Sequence, residues 1–226
     1  SQLESLNLGF NKLKGLPDSF CSLRNLRTLK IEKNFLTQLP SYFGNLRNLT
    51  ELQLQDNQIT NLPDSFGDLS ALEELYLERN KLSILPSSFV HLNSLRDCWF
   101  QNNLISALPD DIGRLKVLEY LNLEQNPIET IPRSLAEIKS LKHLMLSGTS
   151  LNSIPIAVEK MGLEELSIEN TALEQFRLEN PTALPVLEKE EEKEPSKSFF
   201  GGGCFGMFFM IAVVMVVTMI YMVTRF

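Results

Sequence analysis

Glu51, Glu74 and Asp97 follow one another at a step of 23 residues, Tyr120 continues that series, and Tyr76 and Trp99 keep the same step two places further on. If the chain repeats with this period, the six residues gather on neighbouring elements of one face. Three like charges held in a row repel one another, so the row either serves a basic partner or is tolerated in water, and rigid aromatic rings beside it offer a large contact area at small entropic cost. Chemistry of other kinds has no support in the residues. His91 and His143 fall in different repeats and on different faces, no Cys/His cluster has metal-ligand spacing, and no Gly-rich loop leads into a phosphate-binding helix. A shallow open face also lacks the water-excluding pocket that shifts carboxyl pKa values for acid–base work. We therefore expect no catalytic, cofactor-binding or metal-binding residues, and no enzyme.

The elements that must position these side chains are set by the period itself. Asn11, Asn34, Asn57, Asn80, Asn103 and Asn126 are spaced 23 residues apart, and so are Pro17, Pro40, Pro63, Pro86, Pro109, Pro132 and Pro155. A fixed step of this size marks stacked supersecondary units. One unit reads Leu49-Thr-Glu-Leu52-Gln-Leu54-Gln-Asp-Asn57-Gln-Ile59-Thr-Asn-Leu62-Pro63-Asp-Ser-Phe66-Gly-Asp-Leu69. This resembles the leucine-rich repeat, L-x-x-L-x-L-x-x-N-x-L followed by x-x-L-P-x-x-F-x-x-L. The resemblance implies an α/β solenoid, with a curved parallel sheet on the concave face and short helical or 3-10 segments on the convex face.

Each position has a physical reason. Leucines alternate inward along a short strand. The Asn side chain, with two donors and an acceptor, can bond the turn backbone within its own and adjacent repeats. Pro63 presets φ for a short helical turn, and Leu62, Phe66 and Leu69 fill the interior. The outward strand positions then form two columns. The middle one runs Asn7, Lys30, Gln53, Tyr76, Trp99, Asn122, Met145 and Ser167, and its neighbour runs Ser5, Thr28, Glu51, Glu74, Asp97, Tyr120, His143 and Glu165. Trp99, the single tryptophan, is expected to stand exposed between Tyr76 and Tyr120, with the acidic residues alongside.

About eight repeats occupy residues 1–177. Thr149 and Thr171 take the Asn place in the last two, the step there shrinks to 22, and Arg177 stands where a proline is due. The array thus loses regularity toward its end, as terminal repeats do. Its beginning carries no capping segment, and the expectation is that repeats or another domain lie upstream. A net charge of −7 and the lack of a basic stripe argue against nucleic acid as a partner. Cys21, Cys98 and Cys204 are far apart, and no paired cap cysteines flank the repeats, which fits a reducing compartment. The sequon at Asn48-Leu49-Thr50 is read as a chance match.

Residues 178–198 form a mixed-charge linker, too poor in apolar groups to fold alone. Within 199–226, the run 205–223 carries no charge, and as a helix it would reach about 28 Å, which suits a single transmembrane span. With three residues after it, the span reads as a tail anchor, with the repeats in the cytosol at an endoplasmic reticulum or secretory-pathway membrane. Cys204 at the membrane boundary is a candidate for S-palmitoylation. Gly202-x-x-x-Gly206 is a weak dimerisation signal.

Leu39-Pro-Ser-Tyr-Phe43-Gly-Asn-Leu46 and Leu108-Pro-Asp-Asp-Ile112-Gly-Arg-Leu115 are similar to repeats of the intracellular Ras-group leucine-rich repeat proteins, including Ras suppressor, the Scribble and Erbin group and the plant members. That resemblance implies a signalling scaffold whose concave face holds a protein partner, such as a small GTPase. The leading expectation is a membrane-tethered scaffold that recruits a partner with basic residues. The alternative is a fragment of a single-pass receptor with its repeats outside the cell.

Overall fold

The computed structural model describes residues 2–179. Eight three-residue strands form one parallel sheet in sequence order: β1 (Ser5–Asn7), β2 (Thr28–Lys30), β3 (Glu51–Gln53), β4 (Glu74–Tyr76), β5 (Asp97–Trp99), β6 (Tyr120–Asn122), β7 (His143–Met145) and β8 (Glu165–Ser167). Short 3-10 segments lie across the interior from the strands of the first six repeats, for example Asp64–Asp68 and Ser87–His91. Proline takes the cap position in four of these segments rather than the first helical one; Pro63 has φ −68°. Its carbonyl accepts from Phe66 N at 2.8 Å, and Pro40 and Pro109 serve Phe43 and Ile112 in the same way.

The core is one continuous column of leucine, isoleucine and phenylalanine. Cys98 and Phe100 are both buried where the neighbouring repeats place leucines. A small residue and a large one in the same repeat conserve core volume, the kind of exchange that packing tolerates best. Gly67 shows how close the units stand, since a Cβ there would lie 2.1 Å from the Ser88 carbonyl oxygen of the next repeat.

The asparagines do what the turn requires and reach further than their own repeat. Asn57 Nδ2 donates to Leu54 O at 3.0 Å and to Ile31 O of the preceding repeat at 2.9 Å, while its Oδ1 accepts from Leu36 N at 2.9 Å. Asn80 repeats this set with Leu54 O, Leu77 O and Ile59 N. Thr149 is buried and donates to Leu146 O within its own turn. Just before the asparagine, or before the threonine that replaces it in the last two repeats, each repeat takes a left-handed residue, which in the seventh is Gly148. Phe10, Lys33, Asp56, Arg79, Asn102, Gln125 and Asn170 have φ between 52° and 59°, a conformation that side chains other than Gly and Asn adopt at a cost.

The array changes form at its last two repeats. A four-residue helix, α1 (Ile156–Glu159), replaces the 3-10 segment, and after β8 comes the longer helix α2 (Ala172–Glu179). Thr171 Oγ1 accepts from Glu174 N at 3.0 Å, and the Glu174 carboxylate accepts from Asn170 N, an arrangement close to a capping box. Among the described residues no helix is long and apolar enough to cross a membrane. The expected linker 178–198 reaches beyond the described residues, and the expected span 205–223, Cys204 and Gly202-x-x-x-Gly206 lie outside them.

Candidate functional site

The parallel register sets the two expected columns side by side. Glu51 pairs with Glu74 and Glu74 with Asp97, then Asp97 with Tyr120 and Tyr120 with His143. In the adjoining column Gln53 pairs with Tyr76 and Tyr76 with Trp99. All six residues singled out by spacing therefore lie on four consecutive strands of one face.

The rings do not stand clear of the sheet. Tyr76 and Trp99 stack with centroids 4.4 Å apart and planes 6° apart. Trp99 meets Tyr120 at 5.1 Å and 33°, and Tyr120 meets His143 at 5.7 Å and 43°. The result is a ladder of four rings that starts in the middle column and steps across to the neighbouring one. Trp99 is half-buried between two partners, where it was expected to be exposed. Each contact restrains the next, so the ladder presents a preformed surface with few free torsions.

The acidic residues are more engaged than a bare row of like charges. Lys30 Nζ lies 3.1 Å from Glu51 Oε1, which also accepts from Gln53 Nε2 at 2.6 Å. Tyr76 O–H donates to Glu74 Oε2 at 3.0 Å. Burial, then that bond and the neighbouring Glu74, Glu51 and Asp97 charges, push the Tyr76 phenol well above its ordinary value. The Asp97 carboxyl is pushed up by burial first and then by Glu74 and Glu119, with Arg96 and His143 opposing. The strain of adjacent carboxylates is thus relieved at Glu51 by a lysine, while Asp97 carries it at the end of the row, beside Tyr120.

Beyond the aromatic ladder lies a feature that the spacing of Glu51, Glu74 and Asp97 did not suggest. Two residues further along each strand, Glu32, Gln55, Glu78 and Gln101 form a column at the rim of the concave face. They line a groove of about 390 Å³, with Lys33 and Arg79 at its lip. Burial raises the Glu78 carboxyl above its ordinary value, helped by the Asp56 charge and opposed by Arg79 and a backbone hydrogen bond. The signal was available in the period-23 alternation of Glu and Gln, which reads as solvated polarity until the burial of the column is known.

Cys21 and Cys98 are buried and free. Burial raises both thiols, most strongly at Cys98. Neither lies on the concave surface. Among the described residues no group of three or more His, Cys, Asp or Glu side chains could hold a metal ion.

The chain matches the family described as leucine rich repeat over residues 1–59, 24–82, 47–97 and 100–151. Its fold is similar to that of a leucine-rich repeat protein of Leptospira interrogans, at 38% identity and a TM-score of 0.72, covering 75% of this chain and 43% of that one. It is also similar to the plant peptide hormone receptor RGFR1 in complex with RGF2, at 30% identity and a TM-score of 0.67, covering 74% of this chain and 28% of the receptor. A third likeness is to the ectodomain of the membrane receptor kinase GASSHO1/SCHENGEN3 from Arabidopsis thaliana, at 31% identity and a TM-score of 0.68, covering 75% of this chain and 21% of that one. The chain therefore spans less than half the length of each of these proteins. No curated protein matches it. The matched residues, the parallel sheet with its 3-10 segments and the asparagine ladder agree, and the chain belongs to the leucine-rich repeat family.

Proposed function

We propose that this chain is a protein-binding module that holds its partner against the concave face, over Tyr76, Trp99 and Tyr120. The observation that carries this reading is the stacked ladder across β4 to β7, a rigid aromatic surface in the middle of an open sheet. Interfaces concentrate their energy in such preorganised aromatic anchors. Glu51, Glu74 and Asp97 border the ladder and favour a partner with basic residues; resemblance to the Ras-group repeats suggests a small GTPase or another signalling protein. Full-length chain immobilised as bait tests the face: Trp99→Ala should lose partners that the convex-face variants Arg114→Ala and Lys139→Ala retain. Retention by Trp99→Ala together with loss by a convex variant overturns it.

The module is further proposed to be a scaffold tethered to a membrane by residues 205–223, with the repeats in the cytosol. The uncharged character of that run and the free, buried Cys21 and Cys98 support this arrangement. A tether adds no contact but confines the module near its partner and raises the effective concentration. A second reading, a piece of a receptor with its repeats outside the cell, is favoured by the likeness to plant receptors, one of them a membrane receptor kinase ectodomain. Protease added to intact microsomes carrying the full chain separates the two. Removal of the repeats supports the cytosolic scaffold; their protection, or a glycan on Asn48, selects the receptor.

A further inference from the structure

The rim groove beside the aromatic ladder holds a row of hydrogen-bond acceptors that the protein itself does not satisfy. Oε2 of Glu32, Oε1 of Gln55, Oε2 of Glu78 and Oε1 of Gln101 are enclosed and accept no hydrogen bond from the chain. Glu32 is buried, with 9% of its surface exposed, and its carboxylate lies against Gly9, where a Cβ would come within 2.4 Å of Oε1. Gly9 occupies the same column one repeat earlier, so the missing side chain makes room for that carboxylate. Enclosed acceptors without donors are costly, and a carboxylate costs more than an amide.

The nearby cations offset this cost only in part. Lys33 Nζ sits 4.5 Å from the centroid of the Phe10 ring, and Arg79 Nη1 lies 3.6 Å from Asp56 Oδ1. Three acids (Glu32, Asp56 and Glu78) against two bases (Lys33 and Arg79) leave the lining with a net charge of −1. The bases contact partners of their own, while Glu32 and Glu78 line the groove.

We infer that this groove is a binding site for the guanidinium group of an arginine side chain presented by a peptide or protein. All four inward atoms are acceptors. Adjacent members of the column stand about 4.8 Å apart across the sheet, so a planar fork of five N–H donors can bridge a carboxylate and the neighbouring Gln oxygen. Alternation of Glu and Gln gives one full negative charge for every two strands, which suits a monovalent cation better than a continuous row of carboxylates. The site lies about two residues, some 7 Å, along the strands from the aromatic ladder. It goes beyond the concave-face reading and does not depend on it.

The test uses the full chain and Nα-acetyl-arginine amide, followed through the side-chain amide resonances of Gln55 and Gln101, with Nα-acetyl-citrulline amide as the uncharged isostere. The arginine probe should shift both amides, and the citrulline probe should bind about tenfold more weakly, as loss of charge-assisted hydrogen bonds requires. Glu32→Gln/Glu78→Gln should weaken arginine binding by about the same factor. Arg79→Ala, which removes a competing cation from the lip, should tighten it about threefold, a gain that damage to the fold would not produce. The inference is overturned if the two probes bind alike, if neither moves the Gln amides, or if the charge variants leave arginine binding unchanged. A partner that still docks over Trp99 while the Gln55 and Gln101 amides ignore arginine removes this site and leaves the aromatic face standing.

Discussion

The ring of Tyr76 lies flat on that of Trp99, with centroids 4.4 Å apart and planes 6° apart, and the Tyr76 hydroxyl donates to Glu74 at 3.0 Å. One tyrosine thus couples the aromatic ladder to the acidic row. Substitution of either ring changes both the shape of the face and its electrostatics.

Trp99→Ala should weaken binding of a concave-face partner by about 2 kcal/mol, mostly through faster dissociation. Because Trp99 touches Tyr76 and Tyr120, the change should also cost about 1 kcal/mol of folding stability from lost ring contacts. Trp99→Phe keeps an aromatic contact and should recover most of the stability and less of the affinity. Surface plasmon resonance with denaturant unfolding on the same samples separates the two effects. Equal losses for Ala and Phe would show that ring stacking is not what organises the face.

Asn80→Ala removes a buried side chain that serves Ile59 N, Leu54 O and Leu77 O, joining two repeats. The expected cost is roughly 1–3 kcal/mol, because backbone groups lose their partners in the interior. Thr149→Ala removes a side-chain hydrogen bond to Leu146 O within one turn and should cost less. Denaturant unfolding gives the order; a larger loss at Thr149 would mean that the inter-repeat bonds contribute little.

Gly67→Ala drives a methyl group to within 2.1 Å of the Ser88 carbonyl oxygen, so neighbouring 3-10 segments must move apart. A destabilisation of about 1–3 kcal/mol follows from such overpacking. Gly15 has nothing within 4 Å of its missing Cβ, and Gly15→Ala should be close to neutral. Thermal unfolding of both variants checks the pair.

Asp97 sets a pH dependence of defined sign. Its folded-state pKa is raised, so the proton binds more tightly in the folded chain than in the unfolded one, where the ordinary value is about 3.9. The stability linked to it is fully present below that ordinary value and is lost as pH climbs through the raised one. Asp97→Asn should therefore be relatively more stable at neutral pH, with a flatter profile across the carboxylate range. Glu119 is held below its ordinary value by Lys142 first and then Arg96, and it contributes the opposite slope. Comparing the variant with the parent chain at each pH isolates Asp97; a variant less stable at pH 7 would reverse the assignment.

The concave columns could be predicted because a 23-residue step converts spacing into register, and every strand pairing from β1 to β7 follows it, with a step of 22 between β7 and β8. Spacing has no access to side-chain torsions. The path of the ladder from Trp99 to Tyr120, and the use of Lys30 to neutralise Glu51, depend on rotamers that several neighbours set together. The left-handed residue before each asparagine of the first six repeats was missed because Phe10, Lys33 and Arg79 are not residues that announce positive φ. Thr171-Ala-Leu-Glu174 did announce a helix start, yet the expectation of another irregular repeat concealed it. The rim groove was hidden because Glu and Gln look solvated until their neighbours enclose them.

From Asn34 to Asn126, each asparagine of the ladder fastens its repeat to the one before with the same three kinds of bond, whatever the surface residues are. Excision or duplication of one 23-residue unit would rejoin identical donors and acceptors across the cut. The molecule can therefore be lengthened or shortened by heredity in whole links, each adding about 4.8 Å of sheet. Its reach is a copy number, and it can change without the interior having to be packed anew.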